Sequence, residues 1–151
     1  NRKAAIDTHA CVGCGRCIGA CPFDAIVPLW DEANDVLNRK IAEYSLAVVQ
    51  DRPSFHISLA MDISPNCDCH PENDVPVIPN VGMFASFDPV ALDEACAEMC
   101  SRMPRNPNAS FEDISSDDLF HAVHTVTHWQ DQTEHGEKIG LGSREYELIE
   151  I

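Results

Sequence analysis

Positive charge is scarce in this chain of 151 residues: 10 Lys and Arg stand against 25 Asp and Glu, a formal charge of −15 at pH 7. A polyanion of that strength repels phosphate backbones and anionic lipid surfaces, so neither nucleic acid nor a membrane is expected as a partner. Long hydrophobic runs are missing too. No stretch approaches the ~18 apolar residues of a membrane span, and no signal-peptide h-region is found, so a cytoplasmic location is expected. The sequence also lacks a P-loop, a nucleophile elbow and a G-x-G-x-x-G turn, which leaves nucleotide binding and acyl transfer without a motif. Repeats and low-complexity tracts are absent, and the length allows one compact domain, or one with a small annex. The first residue is Asn1 rather than Met, so a piece of a longer product is expected.

Cysteine is abundant. Of 8 cysteines, Cys11, Cys14, Cys17 and Cys21 fall in one run, followed at once by Pro22, and the others pair as Cys67/Cys69 and Cys96/Cys100. An even count can signal a disulfide scaffold, but the spacing C-x2-C-x2-C-x3-C-P is the ligand run of a bacterial-type 4Fe–4S centre. Three thiolates two residues apart can wrap three corners of one cubane, provided the loop turns sharply. Gly13, Gly15 and Gly19 suit such turns and bring backbone N–H groups toward sulfide. Ile6, Val12, Ile18, Phe23 and Ile26 are expected to wrap the cluster in apolar surface. Zinc is the alternative for any C-x2-C, but its sites pair two knuckles and need no third cysteine two residues on. No second C-x2-C-x2-C run exists, so either Cys21 closes the same cluster or the later cysteines take part.

The remaining chain predicts alternating strands and helices, hence an α/β (or α+β) fold with helices packed on a small mixed sheet. A short strand is expected over 3–7, leading into the cluster loop. A helix is expected over 31–50, with Leu37, Ile41, Tyr44 and Val48 on its apolar face. Phe55, Ile57, Leu59, Met61 and Ile63 alternate with His56, Ser58, Ala60 and Asp62, the period of a half-buried strand. Val75 to Asn80 is interrupted by proline and reads as extended or edge chain. A buried strand over 82–87 should lead to a helix from Asp88 as N-cap and Pro89 as first residue, ending near Ser101. Ser115 or Ser116 is expected to open a further helix through Trp129, continuing to Gly140, and Tyr146 to Ile151 a last strand. The domains are then a ferredoxin-type segment, 1–30, and an α/β portion, 31–151.

Cys67 and Cys69 lie just past the best strand, where open α/β sheets place ligands. Cys96 and Cys100 project about 40° apart on their helix, beside Leu92, Met99 and Met103, so both thiols are expected to point inward. A second Fe–S cluster, zinc or another structural metal, and inert core thiols all remain open for this group. His70 is either a replacement ligand or a solvated turn residue. His121, His124 and His128 share one face of the predicted helix, opposite Leu119, Val123 and Val126, and read as a solvated row rather than a metal triad.

The run from Cys11 to Ile26 resembles ferredoxin-type 4Fe–4S domains. Lys40-Ile-Ala-Glu-Tyr, Ile63-Ser-Pro-Asn-Cys-Asp-Cys-His, Ser86-Phe-Asp-Pro-Val-Ala-Leu-Asp-Glu-Ala-Cys and Ile139-Gly-Leu-Gly-Ser-Arg-Glu-Tyr-Glu-Leu resemble an uncharacterised Fe–S-centre family, domain of unknown function three-six-two. That resemblance implies a sizeable N-terminal α/β portion preceding the cysteine run, so that this chain would be a C-terminal fragment. It also implies a ligand role for Cys67, Cys69 and Cys96, with Cys100 less typical, and it supplies no substrate. The expected function is single-electron transfer through one or two 4Fe–4S clusters, as a redox module rather than a complete enzyme. Two alternatives are the Fe–S part of an oxidoreductase whose active site lies in the missing region, and a purely structural metal domain. One negative charge ~10 Å from a cluster, at an effective dielectric of ~20, opposes an added electron by about 1.7 kcal/mol, on the order of 70 mV. The acidity thus argues for a low potential and for a redox partner with a basic docking patch.

Overall fold

The computed structural model describes residues 5–23, 25–27, 33–67 and 72–151, which form two compact units, 1–32 and 33–151. Among its described residues, the first unit holds one short helix, α1 (Arg16–Ala20). The strand expected over 3–7 begins outside the described residues, and Ala5 to Asp7 is irregular. Asp7 instead closes a turn, its carbonyl accepting from the Cys11 N–H at 2.9 Å and its side chain from the His9 N–H at 3.0 Å. Ile6, Val12, Ile18 and Phe23 are exposed and Ile26 is half-buried. So short a segment has too little chain to enclose them by itself.

The second unit is mixed α and β: α2 (Asn34–Val49), β1 (His56–Ala60), β2 (Gly82–Ser86), α3 (Pro89–Arg102), α4 (Leu119–Val123) and α5 (Gln130–Lys138). β1 and β2 pair antiparallel, His56 opposite Ser86 and Ala60 opposite Gly82, so the sheet is antiparallel rather than mixed. The alternation of β1 is real but its buried face is the reverse of that expected. Ile57 and Leu59 are exposed together with Met83 of β2, whereas Ala60 is buried and His56 and Ser58 are half-buried. The small side chains face α3 because a helix can approach closely there. β2 is accordingly half-exposed, not buried.

α2 repeats the lesson. Leu37, Ile41, Tyr44 and Val48 are exposed, and the buried position is Ala42, on the side that packs against α5. Asn34 and Asn38 donate their side-chain amides to the carbonyls of Val126 and His128, each at 2.8 Å, and Glu43 meets His135 at 3.0 Å. Polar anchors therefore orient the helix, and the small residue sets its distance. Asp31 and Glu32, at the expected start, lie outside the described residues.

α3 follows the sequence closely. Asp88 Oδ1 accepts from the Val90 and Ala91 N–H groups at 2.9 and 3.0 Å, with Pro89 at the first helical position. The other oxygen accepts from the Ser143 N–H at 2.8 Å. A Cβ on Gly142 would lie 2.0 Å from Asp88 Oδ1, so only glycine fits there. The core gathers Ala60, Val77, Ile78, Cys100, Leu119 and Val123, with Phe84, Phe111 and Phe120 packed on it. Val77 and Ile78, in the proline-interrupted stretch, are among its most buried residues. Irregular chain reaches the core because its backbone is satisfied: the Val77 N–H donates to the Ile63 carbonyl and the Asn106 N–H to the Val77 carbonyl, both at 2.8 Å.

The predicted helix over 115–140 is two helices. Asp118, not a serine, caps α4 by accepting from the Phe120 and His121 N–H groups. The chain leaves helical geometry at His124, whose Nε2 lies 2.8 Å from the Pro65 carbonyl oxygen, and resumes at α5. Residues 146–151 form no strand. Among the described residues, no helix is long and apolar enough to cross a membrane.

Candidate metal centre

The N-terminal run is built around two left-handed glycines. Gly13 and Gly15 have φ of 70° and 66°, a region most side chains avoid, and Gly15 turns the chain into α1. Cys17 thus sits in the first turn of α1, Cys21 at its end, and Cys11 and Cys14 on the loop before it. Cys11, Cys14 and Cys17 are exposed and Cys21 is half-buried, all four with free thiols.

Cys21 differs from the others electrostatically. Hydrogen bonding from the backbone of Phe23, then of Ala25, with a smaller part from Ile26, holds its thiol below the ordinary cysteine range. The Ala25 N–H lies 3.4 Å from Sγ. Such a cradle of amides favours thiolate, the form that ligates metal. The donor set therefore fits an iron–sulfur centre in kind: four sulfurs on a loop turned by glycine, one with backbone amides that favour its thiolate form. The side chains are not gathered round a common point; among the described residues no three Cys, His, Asp or Glu converge as a metal site.

The second cysteine group lies in the other unit. Cys67 is exposed, on a loop whose ends are clamped: Asn73 donates its side-chain amide to Ser64 Oγ at 2.8 Å, and Asn66 donates to the Glu72 carbonyl at 3.3 Å. Cys69 and His70 lie outside the described residues. Cys96 and Cys100 both line a cavity of about 260 Å³ with Ser58, Phe120 and Trp129. Burial pushes both thiols up; Ser58 offsets this in part at Cys96, while Cys96 itself adds to it at Cys100. Cys100 belongs to the apolar core.

The histidine row does not form, because the helix ends between its members. His121 and His128 bring their rings within 5.9 Å, while His124 turns to Pro65 and Glu112.

Two polar centres escaped the sequence reading. Glu94 is buried and takes a bidentate grip from Arg144, Nε to Oε2 at 3.2 Å and NH2 to Oε1 at 3.1 Å. Nothing local pairs residues so far apart in sequence. Asp118 binds Trp129 Nε1 at 2.8 Å and Gln130 Nε2 at 2.7 Å besides its capping bonds. Burial pushes its carboxyl up, but these bonds together outweigh burial and hold it below the usual range. Its place directly before Leu119 and Phe120 was the available cap signal.

Residues 3–98, more than half of the chain, match the family model described as Domain of unknown function (DUF362). No curated protein and no solved structure matches the chain.

Proposed function

Starting from the chain's membership of the DUF362 family, we propose that it is an iron–sulfur protein that passes single electrons, with one 4Fe–4S cluster held by Cys11, Cys14, Cys17 and Cys21. The observation that carries this is the amide cradle at Cys21, which stabilises the ligand form of the one sulfur that the spacing leaves ambiguous. That preference supports assigning Cys21 to the same centre as its three neighbours. When bound, the cluster supplies one-electron redox chemistry. The protein's part is to hold four sulfurs on a glycine-turned loop and, through its acidity, to bias the potential downward and select a basic partner surface. A reducing compartment, the cytoplasm, suits exposed free thiols.

Cys100 is read as a core thiol, because an apolar surround disfavours the thiolate. Cys67, Cys69 and Cys96 remain the candidates for a second centre or for zinc. Anaerobic preparation with iron, sulfide and zinc analysis tests the reading. About four irons per chain are expected, lost in Cys14→Ser and kept in Cys100→Ala, with spectra that change reversibly on reduction. Colourless protein whose N-terminal cysteines bind zinc or join in disulfides overturns it, and about eight irons adds a second centre.

A further inference from the structure

A groove of about 600 Å³ in the second unit runs between β2 and the segment 146–151. One wall is the consecutive run 81–86, the other the consecutive run 146–151, and the floor is α3 at Ala91, Ala95 and Met99. Six successive residues from β2 and its approach, regardless of which sheet face their side chains occupy, mean that the groove lies along the edge of the strand. That edge is open. β1 pairs with one side of β2, so alternate N–H and C=O groups of β2 point to the other. Among the described residues, no backbone hydrogen bond joins β2 to 146–151.

The far wall is held off the strand by α3. Tyr146 Oη donates to Glu98 at 2.6 Å, and Arg144 grips Glu94. The space between the walls has the scale of a missing strand. Five residues at ~3.3 Å rise, ~4.8 Å strand spacing and ~10 Å thickness occupy roughly 800 Å³. Small side chains on the floor, Ala91 and Ala95, leave room for apolar side chains above them.

We propose that this groove receives an extended segment of another protein, which adds to β2 as a third strand. Its alternate side chains are apolar toward α3 and basic toward solvent. The charge preference comes from Glu147 and Glu150, both exposed on the groove wall, in a chain of net charge −15. A second copy fits poorly, because His56–Ala60 and Gly82–Ser86 contain no Lys or Arg to answer those carboxylates. Main-chain bonds to the open edge supply affinity, and the floor with its acidic wall supplies selectivity.

The test uses the whole chain and a seven-residue capped peptide alternating lysine with valine. Amide exchange read by NMR should show residues 82–86 protected about tenfold or more on addition of the peptide. Replacing its central valine by proline keeps the charge but removes a backbone donor, and should abolish the protection. A glutamate–valine peptide should bind about tenfold more weakly or less, and the double variant Glu147→Lys/Glu150→Lys should reverse that preference. Because both variant positions are exposed, folding is not at stake. No protection by the lysine peptide at about 1 mM, or equal effects of the valine and proline versions, overturns the proposal. So does protection of 82–86 that rises with protein concentration alone, which identifies a second copy as the occupant.

Discussion

Arg144 and Glu94 are the pair on which a single change should weigh most. Glu94 is 6% exposed, and both of its oxygens are held by one guanidinium. Arg144→Met leaves that carboxylate buried without its partner, which should destabilise the fold by on the order of 3 kcal/mol, read as a fall in the urea midpoint. Glu94→Gln with Arg144→Met should recover much of this, since the orphan charge is then gone. Asp118 governs a pH dependence. Its folded pKa is depressed, so the stability it contributes is present above the unfolded value of about 3.9 and is lost as pH falls through the folded value. Urea titrations from pH 7 to pH 3 should show that loss in the native chain. In Asp118→Asn the step should shrink, with lower stability already at pH 7.

Elements here are positioned by their small residues. α2 meets α5 through Ala42, 1% exposed, while its larger apolar residues face outward. Ala42→Leu should therefore overpack the seam and destabilise by about 1–3 kcal/mol, whereas Leu37→Ala should change stability by less than about 0.5 kcal/mol. A calorimetric comparison of the two variants decides it, and the opposite order would mean that the apolar stripe is the packed face. The same logic applies to β1. Ile57→Thr and Leu59→Thr alter the exposed sheet face and should leave the thermal midpoint nearly unchanged, while Ala60→Leu should lower it.

At the scale of the whole molecule, the charge of −15 should govern encounter rates with redox reagents. On the proposed function, the reduced iron-loaded chain would pass one electron to each molecule of oxidant. Hexaammineruthenium(III), a cation, should react much faster relative to ferricyanide at about 10 mM ionic strength than at about 1 M, where the screening length falls to ~3 Å. Stopped-flow rates at the two ionic strengths check this; an unchanged ratio would remove the acidic surface from the reaction. What the sequence determined by itself was whatever depends on near neighbours. The left-handed turns at Gly13 and Gly15 and the Asp88–Pro89 start of α3 are local events, fixed by a residue's own steric limits and by hydrogen bonds a few residues away. Tertiary structure alone decided which face of β1 and of α2 is buried, because periodicity marks two unlike faces without saying where a partner will lie. It also decided the break at His124, drawn to the Pro65 carbonyl, and the pairing of Glu94 with Arg144. These contacts join residues 59 and 50 positions apart, and their geometry exists only after the chain has folded.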